Sequence, residues 1–247
     1  STLPFPTSFP MISIEEGDNF SIQVGEDLII HIRIESETIM ESMEVYKNGS
    51  LFQNINLEHS FNLRHQYIFQ GIKADAGQIH TLTFVVIDDE GVGSAKSITV
   101  EVKETPLTFT FQNAQITNAN GAGNFAWDLA ANGGSTTTNK MDIVNTSNAT
   151  DGWVTGWTSN TLTRFVKLSG APSIALDDLI MEDLIALYNI GTPVSTLAVE
   201  TGDWIIAKIR ESGEYAIIHI DHVDETIDNA TEGIRFTYKK SAESVGD

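Results

Sequence analysis

The chain has 247 residues, 41% of them hydrophobic, which is long and apolar enough for one large domain or for two smaller ones. Its 34 acidic residues outnumber the 14 basic ones, and the formal net charge of -20 repels polyphosphates and anionic membranes. We therefore expect no nucleic-acid partner. The chain contains no cysteine, which excludes disulfides and thiolate metal sites.

The chain opens with a proline-rich segment, STLPFPTSFP. Each proline fixes its φ angle in the extended range, so this segment predicts an extended tether over residues 1–10. No stretch of the sequence reaches the roughly 18 consecutive apolar residues of a membrane-spanning helix.

Residues 11–104 consist of short runs of alternating apolar and polar residues with turn signals between them, a pattern that predicts β-strands. The run LIIHIRI places its apolar side chains on one face: Leu28, Ile30, Ile32 and Ile34. Asn48-Gly49 supplies the positive φ angles of a hairpin turn. HTLTFVVID and SAKSITVEV form a closing hairpin. Roughly seven strands in about 100 residues are typical of an immunoglobulin-like sandwich.

The turn of the closing hairpin is acidic and reads Asp88-Asp89-Glu90-Gly91. Clustered carboxylates suit calcium, but the spacing is not that of an EF-hand loop. A solvated acidic turn is the favoured interpretation, and the calcium alternative stays open. We predict no resident metal and no cofactor.

The second half begins after Glu104-Thr105-Pro106, where the proline ends one strand and a new alternation starts. We predict a loop-rich β-domain over residues 107–240, with one amphipathic helix near residues 174–190. Asp177 and Asp178 are expected in the first turn of this helix, with Gly191 as its C-cap. Three strands follow the helix: DWIIAKIR, EYAIIHIDHV and GIRFTYKK. The fold class is mostly β, in two domains.

Catalytic signatures are missing from the sequence. It has no GxSxG nucleophile elbow and no phosphate-binding loop with its lysine. Asp128 and Asp142 are candidates for a glycosidase carboxylate pair, although hydrogen bonds in turns or at strand edges are the favoured interpretation. His219 and His222 lie three apart on a predicted strand, so we expect them on opposite faces, unable to share a metal without a bulge. We predict that the protein is not an enzyme.

Two tryptophans in a polar segment give the best indication of a ligand. GWVTGWTSN contains Trp153 and Trp157 among Gly, Thr, Ser and Asn residues. Indole rings stack on sugars, and an amide such as that of Asn160 can bind hydroxyl groups. These three residues form our predicted ligand site, with a neutral glycan as the expected ligand. The alternative is that both indoles pack in the core, which is the interpretation that we favour for Trp127 and Trp204.

Several longer motifs resemble a known group. MEVYKNGS, FQGIKADAGQIHTLTFVVIDDEG and SITVEV resemble the N-terminal immunoglobulin-like modules of Bacteroidetes-type exported surface lipoproteins. FAWDLAANGG, KMDIV and GDWIIAKIRESGEYAIIHIDHV resemble the C-terminal β-rich domains of the same group, and they are similar to HmuY-like haemophores in the FDL-then-DI rhythm. The resemblance implies an exported protein at the outer-membrane cell surface or in the periplasm, held by a lipid anchor upstream of Ser1.

The sequence thus predicts a non-enzymatic surface binding or accessory protein whose C-terminal loops recognise neutral glycan. Two alternatives stay open. One is a structural component that docks another surface protein. The other is a carrier of haem or another cofactor, which needs two ligands facing each other across a pocket.

Overall fold

The computed structural model describes residues 9–148, 150, 152–224 and 232–241. Most of the predicted tether, residues 1–8, lies outside the described residues, as does the segment 225–231 of the predicted second domain. The chain divides into two compact units, unit 1 (Ser1–Glu104) and unit 2 (Thr105–Asp247). The predicted mostly-β fold class is confirmed. Within the described ranges, no helix has the length and apolar character needed to cross a bilayer.

Unit 1 is built from antiparallel strands, two of which are unusually long. Its strands are β1 (Met11–Ile14), β2 (Asn19–Gln23), β3 (Asp27–Lys47), β4 (Ser50–Gln70), β5 (Gln78–Asp88) and β6 (Gly93–Lys103). Their order is β1-β3-β5-β6-β2, with β4 paired to β3, and only β2 runs parallel to its neighbour β6. β3 and β4 each cover what the sequence pattern divides into two strands.

The hydrogen-bonded sheet of unit 1 bends at β3 to make two layers. Residues 27–35 of β3 pair with β1 and with the second half of β4, whereas residues 40–47 pair with β5 and with the first half of β4. The register shifts between Glu35 and Met40 mark the bend. The rings of Tyr67 and Phe84 meet edge to face at 5.3 Å, although their strands β4 and β5 are not paired. One core therefore lies between the layers, as in an immunoglobulin-like sandwich.

The hairpin turns of unit 1 follow the sequence. Asn48 and Gly49 have φ angles of 51° and 81°, which confirms the predicted turn between β3 and β4. Asp88 organises the acidic turn between β5 and β6, because its Oδ1 accepts the N–H groups of Glu90 and Val92. Asp88 Oδ2 accepts the hydroxyl of Thr38, and the residue is buried.

Unit 2 is a second sandwich, with one helix in its described part. Its strands are β7 (Phe109–Thr117), β8 (Ala126–Asp128), β9 (Gly133–Ser135), β10 (Ile143–Asn145), β11 (Gly156–Thr158), β12 (Arg164–Lys167), β13 (Thr196–Ala198), β14 (Trp204–Lys208), β15 (Tyr215–Asp224) and β16 (Gly233–Lys240), and its helix is α1 (Met181–Asn189). The long-strand sheet has the order β12-β14-β15-β16-β7, and the short-strand sheet has the order β13-β11-β10-β8-β9.

The long-strand sheet is covered on both faces. One face packs against the short-strand sheet around a core that includes Trp157, Phe165 and Phe236. The other face packs against α1 through Ile206 and Ile217. Strands buried on both sides have continuous apolar runs instead of alternation, which explains the sequence of β14 and β15.

The predicted helix over residues 174–190 is wrong in its first half. Residues Leu176–Asp178 form a separate 3-10 turn, and α1 begins only at Met181. Between them Leu179 and Ile180 are extended, with ψ angles of 137° and 166°. Ile180 forms a β-bridge with Pro106, and this distant pairing straightens the backbone. The acidic residues in the first turn of α1 are therefore Glu182 and Asp183 instead of the predicted pair.

The predicted C-cap role of Gly191 is also wrong. The C-cap is Ile190, in the right-handed helical region with φ of -84°. A Cβ atom on Gly191 would collide with Val166 Cγ1. Glycine is needed here because the chain after α1 passes directly against β12.

Candidate functional site

Trp157 lies in the core of unit 2 and cannot contact a ligand. It is on β11 and is 0% exposed, with its ring 5.8 Å from that of Phe165 and 5.7 Å from that of Phe236. This overturns the prediction of a sugar-stacking surface at Trp157. The polar residues around it misled the prediction, because β11 is a short central strand whose inward face is filled by this one side chain.

Trp153 and Asn160 do not form a common site with Trp157. Trp153 is half-buried and packs against the same core, in the connection between β10 and β11. Asn160 follows β11 and is exposed, and its Nδ2 donates to the carbonyl of Thr138 at 3.1 Å. Of the three predicted ligand residues, these two still offer surface to a partner.

Asp142 is the centre of a buried ion cluster in unit 2. It is 0% exposed and accepts five hydrogen bonds: Oδ1 from Thr161, Thr163 and Arg210, and Oδ2 from Leu129 N–H and Arg210. Arg210 Nη2 also donates to Asp128 Oδ1 at 2.7 Å. Both carboxylates thus bind one guanidinium, and Asp142 has no route to a substrate.

The pKa of Asp128 is lowered. Burial acts to raise it, but the N–H of Ala131 and the Arg210 guanidinium outweigh burial by hydrogen bonding to the carboxylate. A general acid for glycoside cleavage needs a raised pKa. Asp128 therefore lacks the raised pKa that the general acid of the glycosidase hypothesis requires.

A second buried pair, Glu214 and Lys240, lies close to this cluster. Lys240 Nζ is 3.2 Å from Glu214 Oε1 and donates to the carbonyls of Leu129 and Ala130. Burial raises the pKa of Glu214, and Lys240 opposes that rise. The pKa of Glu214 is thus raised, whereas that of Asp128 in the neighbouring cluster is lowered. Opposite pKa shifts in neighbouring acids are the pattern of an acid–base pair. Both carboxylate oxygens of Glu214 are shielded from solvent, however, so Glu214 and Lys240 form a buried ion pair.

A β-bulge places His219 and His222 on the same face of the long-strand sheet, which corrects the prediction of opposite faces. His219 pairs with Thr237 and His222 with Arg235, so Asp221 is the extra residue. His219 Nδ1 lies 2.9 Å from Asp221 Oδ1, and its ring lies 4.3 Å from that of Trp204. Trp204 packs beside the α1 core, in line with its predicted core role.

His80 forms a polar cluster under the β3–β4 turn. Thr81 N–H donates to Asn48 Oδ1, which directs Asn48 Nδ2 towards His80 Nδ1 at 3.0 Å. His80 is 2% exposed, and burial together with Lys47 lowers its pKa, against the effect of Asp75. The neutral ring accepts from Asn48 and so fixes the turn.

The outer face of β1, β3 and β4 carries cross-strand ion pairs. Arg64 on β4 binds Glu15 with two hydrogen bonds of 2.8 and 2.7 Å, and Glu16 hydrogen-bonds His31. Among the described residues, Glu15, Glu16 and His31 are the one group whose ligand atoms are close enough for a metal ion. Arg64 holds the pKa of Glu15 below its usual value and already occupies that carboxylate. This arrangement is a set of salt bridges that joins β3 and β4 to the turn after β1.

The outer edge of β4 is a surface that strand pairing within the described residues leaves open. β4 has 21 residues and pairs only with β3, so its other edge has no strand partner among the described residues. Residues 62–70 pair with β3 without a register shift. This stretch contains one charged residue, Arg64, and no lysine, proline or glycine. Natural edge strands are usually short, charged or bulged, which prevents pairing with other chains.

Exposed apolar side chains accompany this edge. Ile68 is 53% exposed, and Ile29, its cross-strand neighbour on β3, is 46% exposed. At the far end of β4, Leu51 and Phe52 are each 57% exposed, where a register shift leaves Phe52 as an extra residue. The bulge disrupts the first half of the edge, so the regular half, residues 62–70, is the part suited to strand pairing.

No protein-family model matches the chain, and no curated protein matches it. Among solved structures it is similar to a DUF4466 family protein from Parabacteroides merdae, at 10% identity over 96% of this chain and 99% of that one, with a TM-score of 0.38. The fibronectin(III)-like modules of Clostridium thermocellum CbhA match 38% of this chain over 97% of their own length, at 17% identity and a TM-score of 0.30. The CARDB domain of PF1109 from Pyrococcus furiosus matches 42% over its full length, at 14% identity and a TM-score of 0.28. With TM-scores below 0.5, none of these similarities bears on function.

Proposed function

We propose that the protein is a non-enzymatic docking protein in which the free edge of β4 receives an extended strand of another polypeptide. The observation that carries this proposal is the regular, almost uncharged edge over residues 62–70. An added strand satisfies the unpaired N–H and C=O groups of such an edge, and alternate side chains give the pairing its specificity.

The charged groups of unit 2 support the non-enzymatic part of the proposal. Asp142 and Glu214 are buried, and Asp128 is bound to Arg210. These three acids are thus paired within the fold. The outer edge of β4, in contrast, has main-chain groups that no described strand uses.

A fluorescent peptide of residues 62–70, NLRHQYIFQ, tests the proposal when it is titrated into the full chain and followed by anisotropy. We expect saturable binding that a scrambled peptide of the same composition lacks. Ile68→Lys places a cation on the edge and should weaken binding about tenfold, because it faces the arginine of an antiparallel peptide.

Ile29→Lys is the matched control, since Ile29 is exposed to a similar degree but lies on the inner strand β3. We expect it to bind the peptide as the wild type does. Equal binding of the native and scrambled peptides, or no binding of either, would overturn the proposal.

Glycan recognition is the second candidate function, supported by the partial exposure of Trp153 in a polar connection. A glycan array with the wild type and Trp153→Phe tests it. A neutral glycan bound by the wild type and lost in the variant would favour this function, and an array without a specific signal would contradict it. A haem titration of the wild type tests the carrier alternative, which predicts a Soret band. The exposed His222 on β15 is the candidate iron ligand, so His222→Ala should remove the band.

Export and lipid anchoring stay predictions from the family resemblance. Fractionation of cells that express the full precursor tests them, with recovery in the outer-membrane fraction as the expected result.

A further inference from the structure

We infer that the strand received by β4 is β4 of a second copy of this chain, paired antiparallel about a two-fold axis at Gln66. This inference rests on the proposed function and names its partner. A two-fold interface requires one surface that is complementary to itself, and residues 62–70 meet that requirement on both faces.

The outward face of the stretch is self-complementary. With Gln66 on the axis, Gln66 lies opposite its own counterpart, and Asn62 lies opposite Gln70. These are amide pairs, and amide groups donate and accept in equal measure. The remaining outward pair sets Arg64 against Ile68, so the arginine meets no like charge across the interface.

The inward face is self-complementary as well. The same register sets Leu63 opposite Phe69 and His65 opposite Tyr67. Tyr67 and Phe69 are 3% exposed and belong to the core of unit 1. Apolar and aromatic cross-strand pairs stabilise antiparallel strands. Pairing in this register would continue the core face of one copy into that of the other.

The charge of residues 62–70 is compatible with contact between copies. Each copy has a net charge of -20, so two copies repel each other at long range. Residues 62–70 contain no acidic residue, and therefore no acidic pair is brought together on the strand itself. Added salt screens the long-range repulsion, so we expect dimerisation to strengthen with ionic strength. A basic protein partner would show the opposite dependence.

Sedimentation of the full-length wild type over a concentration series tests the inference. One strand pair is a small interface, so we expect a monomer–dimer equilibrium with a dissociation constant of about 10–100 μM. Gln66→Lys and Gln66→Glu each place two like charges together on the axis. Each variant should raise the dissociation constant at least about tenfold. Mixing the two variants pairs lysine with glutamate and should restore dimerisation to within about threefold of the wild type.

Ile29→Lys again serves as the control and should dimerise as the wild type does. A wild type that stays monomeric while the peptide of residues 62–70 binds would overturn the second copy as partner and leave the docking function standing. Failure of both measurements would overturn both proposals. A dimer that is unaffected by the Gln66 variants would place the contact elsewhere, and a mixture that stays monomeric would show that the register is wrong.

Discussion

Unit 1 and unit 2 are both β-sandwiches, but they differ in how completely their polar groups are paired. Unit 2 pairs its buried acids Asp142 and Glu214 with Arg210 and Lys240, and both faces of its long-strand sheet are covered. Unit 1 leaves one edge of the 21-residue strand β4 without a partner strand among the described residues. The side chains that the sequence indicates as ligand-binding or catalytic candidates, such as Trp157 and Asp142, are thus mainly structural. The open edge of β4, in contrast, consists of backbone groups.

The largest effect should come from opening the ion cluster of unit 2. Arg210→Ala leaves the buried carboxylate of Asp142 without its cation and should destabilise unit 2 by about 3–5 kcal/mol. Urea denaturation followed by tryptophan fluorescence measures this, because all four tryptophans lie in unit 2. Arg235→Ala removes an exposed arginine and should change stability by less than about 0.5 kcal/mol. Similar losses of stability in the two variants would contradict the pairing of buried Asp142 with Arg210.

Trp157→Ala distinguishes a core residue from a ligand contact. A fully buried tryptophan contributes about 3–5 kcal/mol relative to alanine, so we expect a comparable loss of stability, measured by urea denaturation followed by circular dichroism. A variant of wild-type stability would mean that this indole is not packed as described.

Features that depend on neighbours in the chain can be predicted from a single sequence, whereas features that depend on distant residues cannot. The alternation of Ile30, Ile32 and Ile34 and the turn at Asn48-Gly49 depend on neighbours in the chain, and both were predicted correctly. The burial of Trp157 depends on strands from distant parts of unit 2, and the extended break before α1 depends on the bridge from Ile180 to Pro106. The free edge of β4 could not be predicted, because alternation identifies a strand without its neighbours.

Gly191→Ala probes the close contact that follows α1. The added methyl group would collide with Val166 and should destabilise unit 2 by about 1–3 kcal/mol. Gly213→Ala is the control, because no atom lies within 4 Å of the Cβ position there. Thermal unfolding followed by tryptophan fluorescence should show a lower Tm for the first variant only.

The smallest effect concerns the pH dependence of unit 2. The folded-state pKa of Glu214 is raised above 4.5, so its contribution to stability is complete below that pH and is lost as pH rises through the raised value. Glu214→Gln cannot ionise and lacks this loss. As the pH rises above about 4.5, the Tm of the variant should therefore increase relative to that of the wild type. A constant difference between pH 4 and 8 would contradict the raised pKa.

The parallel pairing of β2 with β6 has a mechanical consequence. β2 lies near the start of unit 1, β6 ends it, and five residue pairs join them in parallel. Tension applied to the two ends of this unit pulls these strands in opposite directions along their axes, so all hydrogen bonds of the pair resist at once instead of opening one after another. Loaded in this way, the pair withstands more force than one that opens from its end.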